Sequence, residues 1–196
     1  RLYNLLFNIP YEILLVVPDR TISGDQIERK EEYFNNIRVK RESMQSFFSF
    51  RRLAPMRFIN TMYQKPMRLF DSAKSEDFDI IHAHNSSYFA KAAKKLSKIT
   101  NKPFIIELHT AELDHKYGVT GYVNAFYIDT MAKRQLKSCN HIVTLTKSLK
   151  NWFSIRYGIP DEKITVVPNG ADINKFSPKN ERKTKVEEIK ERLNLS

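Results

Sequence analysis

Short apolar and β-branched runs alternate with longer stretches of helical spacing along this chain, and that alternation limits its folds more than any other feature. The runs fall at 12–17, 37–39, 79–83, 104–108, 141–145 and 164–167. Their length and composition are those of strands. Helical spacing occupies 50–73, 87–99, 123–138 and 148–157. The first of these is expected to break at Pro55 and Pro66, because a proline inside a helix removes a hydrogen bond and clashes with the preceding turn. Strand and helix in turn is the pattern of a parallel sheet covered by helices. The expected architecture is therefore α/β, a doubly wound parallel sheet. Ile80-Ile81 and Phe104-Ile105-Ile106 lack strict alternation, as strands buried on both sides do. The stretch 183–193 is charge-dense and helical with no strand after it, and reads as a surface helix or a lead-in to a partner domain.

Composition removes several function classes. Glycine occurs five times, at 24, 118, 121, 158 and 170, so neither G-x-x-x-x-G-K nor G-x-G-x-x-G can be written in these 196 residues. A phosphate-cradling glycine loop of either kind is excluded from them. Cys139 is the one cysteine, which rules out an intrachain disulfide framework and a thiolate zinc site, and favours a reducing, cytoplasmic setting. The longest aliphatic run, Ile13-Leu14-Leu15-Val16-Val17, is far shorter than the ~20 residues of a spanning helix. No signal-peptide pattern opens the chain. A soluble or peripheral membrane protein is expected, and the start at Arg1 reads as the interior of a longer chain.

Ligands of open α/β sheets sit beyond the carboxyl ends of the strands, where loops converge and helix N-termini offer free N–H groups. The expected strands end in His84-Asn85-Ser86-Ser87, His109-Thr110-Ala111-Glu112, Thr146-Lys147-Ser148 and Pro168-Asn169-Gly170-Ala171-Asp172. Each segment also has a plain structural reading. Ser86, Ser87 and Thr146 suit helix N-caps, Asn169-Gly170 is a common turn pair, and His109 could be a hydrogen-bonded structural residue. Their coincidence at one edge points to a polar cleft.

Four segments, within 79–84, 104–110, 141–149 and 158–178, resemble in order and spacing the amino-terminal half of family 4 glycosyltransferases, the retaining enzymes of GT-B fold. They are Asp79-Ile-Ile-His-Ala-His84, Phe104-Ile-Ile-Glu-Leu-His109-Thr110, His141-Ile-Val-Thr-Leu-Thr146-Lys-Ser-Leu149, and the run from Gly158 through Val-Val-Pro-Asn-Gly-Ala-Asp172 to Pro178. The last is the most specific. The resemblance implies two Rossmann-like lobes with the active site between them, and transfer of a sugar from a nucleotide-activated donor to an acceptor hydroxyl. It implies no bound metal and no cofactor beyond the nucleotide-sugar co-substrate. On this reading residues 1–178 are the acceptor-side lobe, lacking a first strand and glycine-rich loop, and 179–196 lead toward a second lobe that grips the donor. The chain alone is then expected to be inactive.

The resemblance makes His109 the catalytic candidate, beside the donor sugar at the cleft floor. His84, Asn85, Thr110, Thr146, Lys147, Asn169 and Gly170 are the acceptor- and donor-binding candidates. Asn85 and Thr110 would face the acceptor, and Lys147 would add charge for a phosphate-bearing one, although a solvated surface lysine is the plainer reading. Asn169-Gly170 would form a tight turn lining the cleft, with Asp172 capping the segment after it. His82 is expected to point away from His84, into the core.

Two other classes remain open. His82-x-His84 could be a metal pair of a hydrolase, completed by His109, Asp114 and His115, but that arrangement asks for a closed barrel larger than 196 residues usually supply. Alternatively, charge could define a binding module. From Arg38 to Arg68 there are eight Lys/Arg and one acidic residue, a local 8 − 1 = +7 within a net 33 − 22 = +11. Aromatic and Met side chains lie between them, which suits nucleic acid or an anionic membrane surface, and the family resemblance implies that a lipid-linked acceptor could be met at such a membrane. The plain alternative is a packed amphipathic segment whose cationic heads reach water. No nucleic-acid reader motif accompanies the charge, so nucleic acid is not an expected partner.

Overall fold

Pairing among the described residues divides the strands into two sheets of different character. The structure, a computed structural model, describes residues 10–19, 30–43, 63–86, 88–111, 118–170 and 190–193, with side chains described from residue 125 onward in the segment that begins at 118. Strand β1 (Ile13–Pro18) runs parallel to β3 (Ile37–Glu42), and β2 (Glu31–Phe34) pairs antiparallel on the other side of β3. The second sheet contains β4 (Ile81–His84), β5 (Phe104–Leu108), β6 (His141–Thr144) and β7 (Ile164–Val166), all parallel and adjacent in chain order. Helix α1 (Lys65–Ala73) precedes β4, and α2 (Tyr88–Thr100), α3 (Gly118–Ser138) and α4 (Lys147–Tyr157) make the three crossovers. The architecture is Rossmann-like α/β, as the alternation predicts.

Parity builds the core of the second sheet. Residues of a strand alternate between its two faces, and Phe104, Ile106 and Leu108 of β5 are all buried while Ile105 and Glu107 are only half-buried. The buried set clusters with Ala83 of β4, Ile142 of β6 and Ile164 of β7. Against it pack Ala90 and Ala93 of α2, Ala132 and Leu136 of α3, and Phe153 and Tyr157 of α4. Small alanines on α2 let its backbone lie close to the sheet. Ile106, Leu108, Leu136 and Ile142 are at most 1% exposed, and each contributes about 1.5–3 kcal/mol of apolar burial. A smaller cluster of Phe70, Ala73 and Leu96 joins α1 to α2 and takes in Val16 of β1 and Ile81 of β4.

Local chemistry fixes the ends of the elements. Pro66 sits in the first turn of α1, where its missing N–H costs nothing, so the expected proline break is the start of a helix. Thr146 caps α4, its Oγ1 accepting from the Leu149 amide at 3.1 Å. Gly158 closes that helix at φ 61°, ψ 49°, a left-handed conformation in which a Cβ is strained. Asp129 of α3 accepts from Tyr157 Oη at 2.7 Å and Arg156 Nε at 3.1 Å, tying α4 to α3. Cys139 is buried, and burial pushes its thiol up to about 11.

Strand β2 is absent from the expectation from sequence. Glu31-Glu32-Tyr33-Phe34 has neither alternation nor an apolar run, and its pairing is supported by charge. Arg38 meets Glu31 at 2.7 Å, Arg41 meets Glu32 at 2.8 Å, and the intervening turn places Asn35 at φ 49°. Arg38 also meets Glu76 at 2.8 Å, and Lys40 pairs with the same carboxylate. Three of the eight cations counted between Arg38 and Arg68 are therefore paired with carboxylates from outside that stretch. The arginines at 51, 52 and 57 lie outside the described residues, as do 1–9 and 171–189. No helix among the described residues is long and apolar enough to cross a membrane.

Candidate functional site

The second sheet has one face packed on helices and one face that is half-exposed among the described residues, and the polar side chains collect on the latter. Pairing register sets His82 beside Ile105, His84 beside Glu107, and Ile105 beside His141. Neighbours in register share a face, as do residues two apart on one strand. His82, His84, Glu107, His109 and His141 thus lie on one side, including four of the chain's five histidines. His82 is accordingly not a core residue. Its side chain is 41% exposed and its ring stacks on His84 with centroids 4.8 Å apart. Positions two apart on a strand share a face, so the expectation that His82 turns away from His84 fails on strand geometry itself.

Glu107 organises the cluster. Its Oε2 lies 3.0 Å from His82 Nε2 and 3.9 Å from His84 Nδ1, and its Oε1 lies 3.1 Å from His109 Nε2. His84 Nδ1 and His109 Nε2 are 3.3 Å apart. Desolvation is the largest influence on His82 and lowers its pKa, aided by a charge on His84 and opposed by Glu107. His84 is lowered in the same way, by desolvation first. Both rings therefore favour the neutral form.

The rest of the edge is built by register. Leu108, Thr144 and Val166 stand in one row across β5, β6 and β7, at about 4.8 Å per strand. Each candidate loop leaves the sheet at this end. Asn85 takes a left-handed backbone (φ 70°), donates its amide to Glu107 O at 2.7 Å, and buries an Oδ1 with no hydrogen-bond partner among the described residues. Thr110, Lys147, Asn169 and Gly170 are exposed. The hydroxyl of Thr146 is already engaged as the α4 cap. Gly170 is not in the left-handed region and a Cβ there would meet nothing within 4 Å, so the expected tight turn places no glycine requirement on this position. Asp114, His115 and Asp172 lie outside the described residues. Among the described residues the sheet is open, in the order β4-β5-β6-β7, and does not form the closed barrel that the hydrolase alternative asks for.

Residues 22–175 match the family model for Glycosyltransferase Family 4. This chain belongs to that family. The matched segment contains every candidate site residue from His82 to Gly170. Among solved structures, a crystal structure of Anabaena HepE in complex with UDP is similar over 80% of this chain at 20% identity, with a TM-score of 0.48. The chain corresponds to 36% of that one. No curated protein matches it.

Glu107 is the site residue that sequence reasoning missed. Its signal is a single carboxylate inside the apolar run Phe-Ile-Ile-Glu-Leu, two residues before His109 and hence on its face. Counting by twos pairs 82 with 84 on one strand and 107 with 109 on the next, and the register of the two strands joins the pairs.

Proposed function

We propose that the chain is the acceptor-side lobe of a retaining glycosyltransferase, which moves a sugar from a nucleotide-activated donor to an acceptor hydroxyl. The observation that carries this reading is the family match over 22–175, which spans the polar edge of the parallel sheet. His109 is assigned beside the donor sugar. From there its imidazole, held against Glu107 Oε1, would hydrogen-bond a sugar hydroxyl and stabilise the charge of an oxocarbenium-like transition state. Asn85, with an acceptor atom lacking a partner among the described residues, and exposed Thr110 are assigned to the acceptor hydroxyls. His84, Thr146, Lys147, Asn169 and Gly170 complete the wall of the cleft. Residues 1–178 would form this lobe and 179–196 would lead to a donor-binding lobe. An acceptor lobe does not neutralise a departing nucleoside diphosphate, so these 196 residues alone are proposed to be inactive. Transfer by the two-lobed enzyme is proposed to use no metal and no cofactor beyond the nucleotide-sugar. The acceptor is proposed to be a sugar or a lipid-linked sugar, the latter met at an anionic membrane surface on the cytoplasmic side.

The test is His109→Ala in the full-length enzyme. Turnover should fall by about 10²-fold, the cost of one positioned polar group in a transition state, with an unchanged circular dichroism spectrum. Unchanged turnover would remove His109 from the chemistry. Transferase activity of the isolated chain with any nucleotide-sugar would contradict the two-lobe assignment.

A further inference from the structure

The histidine and carboxylate cluster does more than orient His109. We propose that His82, His84 and Glu107 form a binding site for one divalent transition-metal ion of the zinc class, at the carboxyl ends of β4 and β5. This inference does not rest on the sugar-transfer reading, since it concerns three donors whose positions derive from strand pairing.

One donor atom from each residue lies within 4.8 Å of the other two. Tetrahedral zinc with bonds of about 2.0–2.1 Å separates its ligand atoms by about 3.4 Å. The contacts from Glu107 Oε2, 3.0 Å to His82 Nε2 and 3.9 Å to His84 Nδ1, bracket that separation. Small rotations of exposed imidazoles would bring the set together. Two imidazoles and one carboxylate suit zinc, cobalt or nickel, whereas magnesium and calcium take oxygen. Three protein ligands leave a fourth position open, as in zinc sites that hold water or substrate.

The surroundings fit the same use. His109 Nε2 contacts the other oxygen of Glu107, Oε1, at 3.1 Å, where an outer partner would hold a ligating carboxylate in place. His82 and His84 side chains are 41% and 35% exposed, so an ion can enter from solvent. In the metal-free protein, His84 Nδ1 faces His109 Nε2 at 3.3 Å. Metal binding would take that nitrogen over and leave His109 with Glu107 alone. The competing account is a proton-sharing network with no affinity for metal, and solution measurement separates the two.

The full chain, untagged and stripped with chelator, is titrated with Co²⁺ and followed by visible absorption. About one equivalent should bind with the intense spectrum of a four- or five-coordinate centre. Zn²⁺ should displace it, and excess Mg²⁺ should not. Glu107→Gln and His82→Ala should each weaken cobalt binding by at least about 100-fold, beyond the ~10–100-fold typical for loss of an outer partner. Both changes fall on the open face of the sheet, and circular dichroism of the metal-free variants checks their fold. Absence of a cobalt spectrum at stoichiometric metal would overturn the proposal. So would equal binding by wild type and either folded variant, or displacement by Mg²⁺.

Discussion

The two sheets solve the same problem with different forces. In the second, buried alternate residues of β4 to β7 close onto three helices, and Ile106, Leu136 and Ile142 at its centre have essentially no exposure. In the first, β3 buries Ile37 and Val39 but carries Arg38, Lys40 and Arg41 between and after them, and these are matched by Glu31, Glu32 and Glu76. Apolar burial is worth kcal/mol per side chain, whereas half-exposed ion pairs are worth a fraction of that and are screened by salt. The parallel sheet is thus the better-buried frame, and its half-exposed face among the described residues can hold a polar cluster because its other face supplies the stability. The comparison also shows that counting charges along a sequence overstates free charge. The +7 of the 38–68 stretch is partly cancelled by glutamates that only the fold brings near.

The largest effect that would break this comparison comes from the centre of the second sheet. Ile106→Ala should cost about 2–5 kcal/mol in chemical denaturation, through lost burial and the cavity left behind. A loss below about 1 kcal/mol would mean that β5 is not the centre of the core. Next come the arginines of the basic stretch that lie outside the described residues. Changing Arg51, Arg52 and Arg57 to Glu should abolish salt-sensitive co-sedimentation with anionic vesicles, because each nearby cation contributes about 1 kcal/mol of attraction. Undiminished sedimentation, or none by the wild type at low salt, would show that this stretch is no membrane surface. Thr146→Ala should destabilise the protein by about 1 kcal/mol through loss of the α4 cap, without altering the sheet.

The smallest effect belongs to the first sheet. Glu76→Gln should cost only about 0.2–1 kcal/mol at neutral pH, less as salt is added. The hydrogen bond from Lys40 is the main influence holding the Glu76 carboxyl below its ordinary 4.5, with Arg38 assisting. A carboxylate with a depressed folded pKa stabilises at pH above its unfolded value, and that contribution disappears as pH falls through the folded one. Wild type and variant should therefore converge in stability on acidification below about 4.5. A gap that persists in strong acid would indicate a packing effect rather than a charge effect.

Much of the second sheet was legible because burial writes itself into composition. The run 104–108 coincides with β5, and 164–167 and 141–145 overrun β7 and β6 by one residue each. Strand β2 was not, since two glutamates and an Asn-Asn turn carry no apolar period, and what pairs the glutamates are arginines seven and nine residues away. The loop candidates His84, Asn85, His109 and Thr110 could be placed at one edge from topology alone. The role of Glu107 could not, because its three imidazole neighbours come from two strands and their meeting depends on register. His82 shows the other limit, a miscounted strand face that turns an exposed ring into a supposed core residue.

Cys139 gives the frame a built-in clock. Its thiol is 3% exposed, donates to Leu136 O at 3.1 Å, and belongs to the same apolar cluster as Ile106 and Ile142. A thiol-reactive dye can reach it only when that cluster opens, and because it is the one cysteine in the sequence, every labelling event reports the same opening. When reclosing outpaces the dye reaction, the labelling rate measures the fraction of time for which the parallel sheet is parted from its helices. The first sheet can lose its ion pairs to salt without advancing that clock.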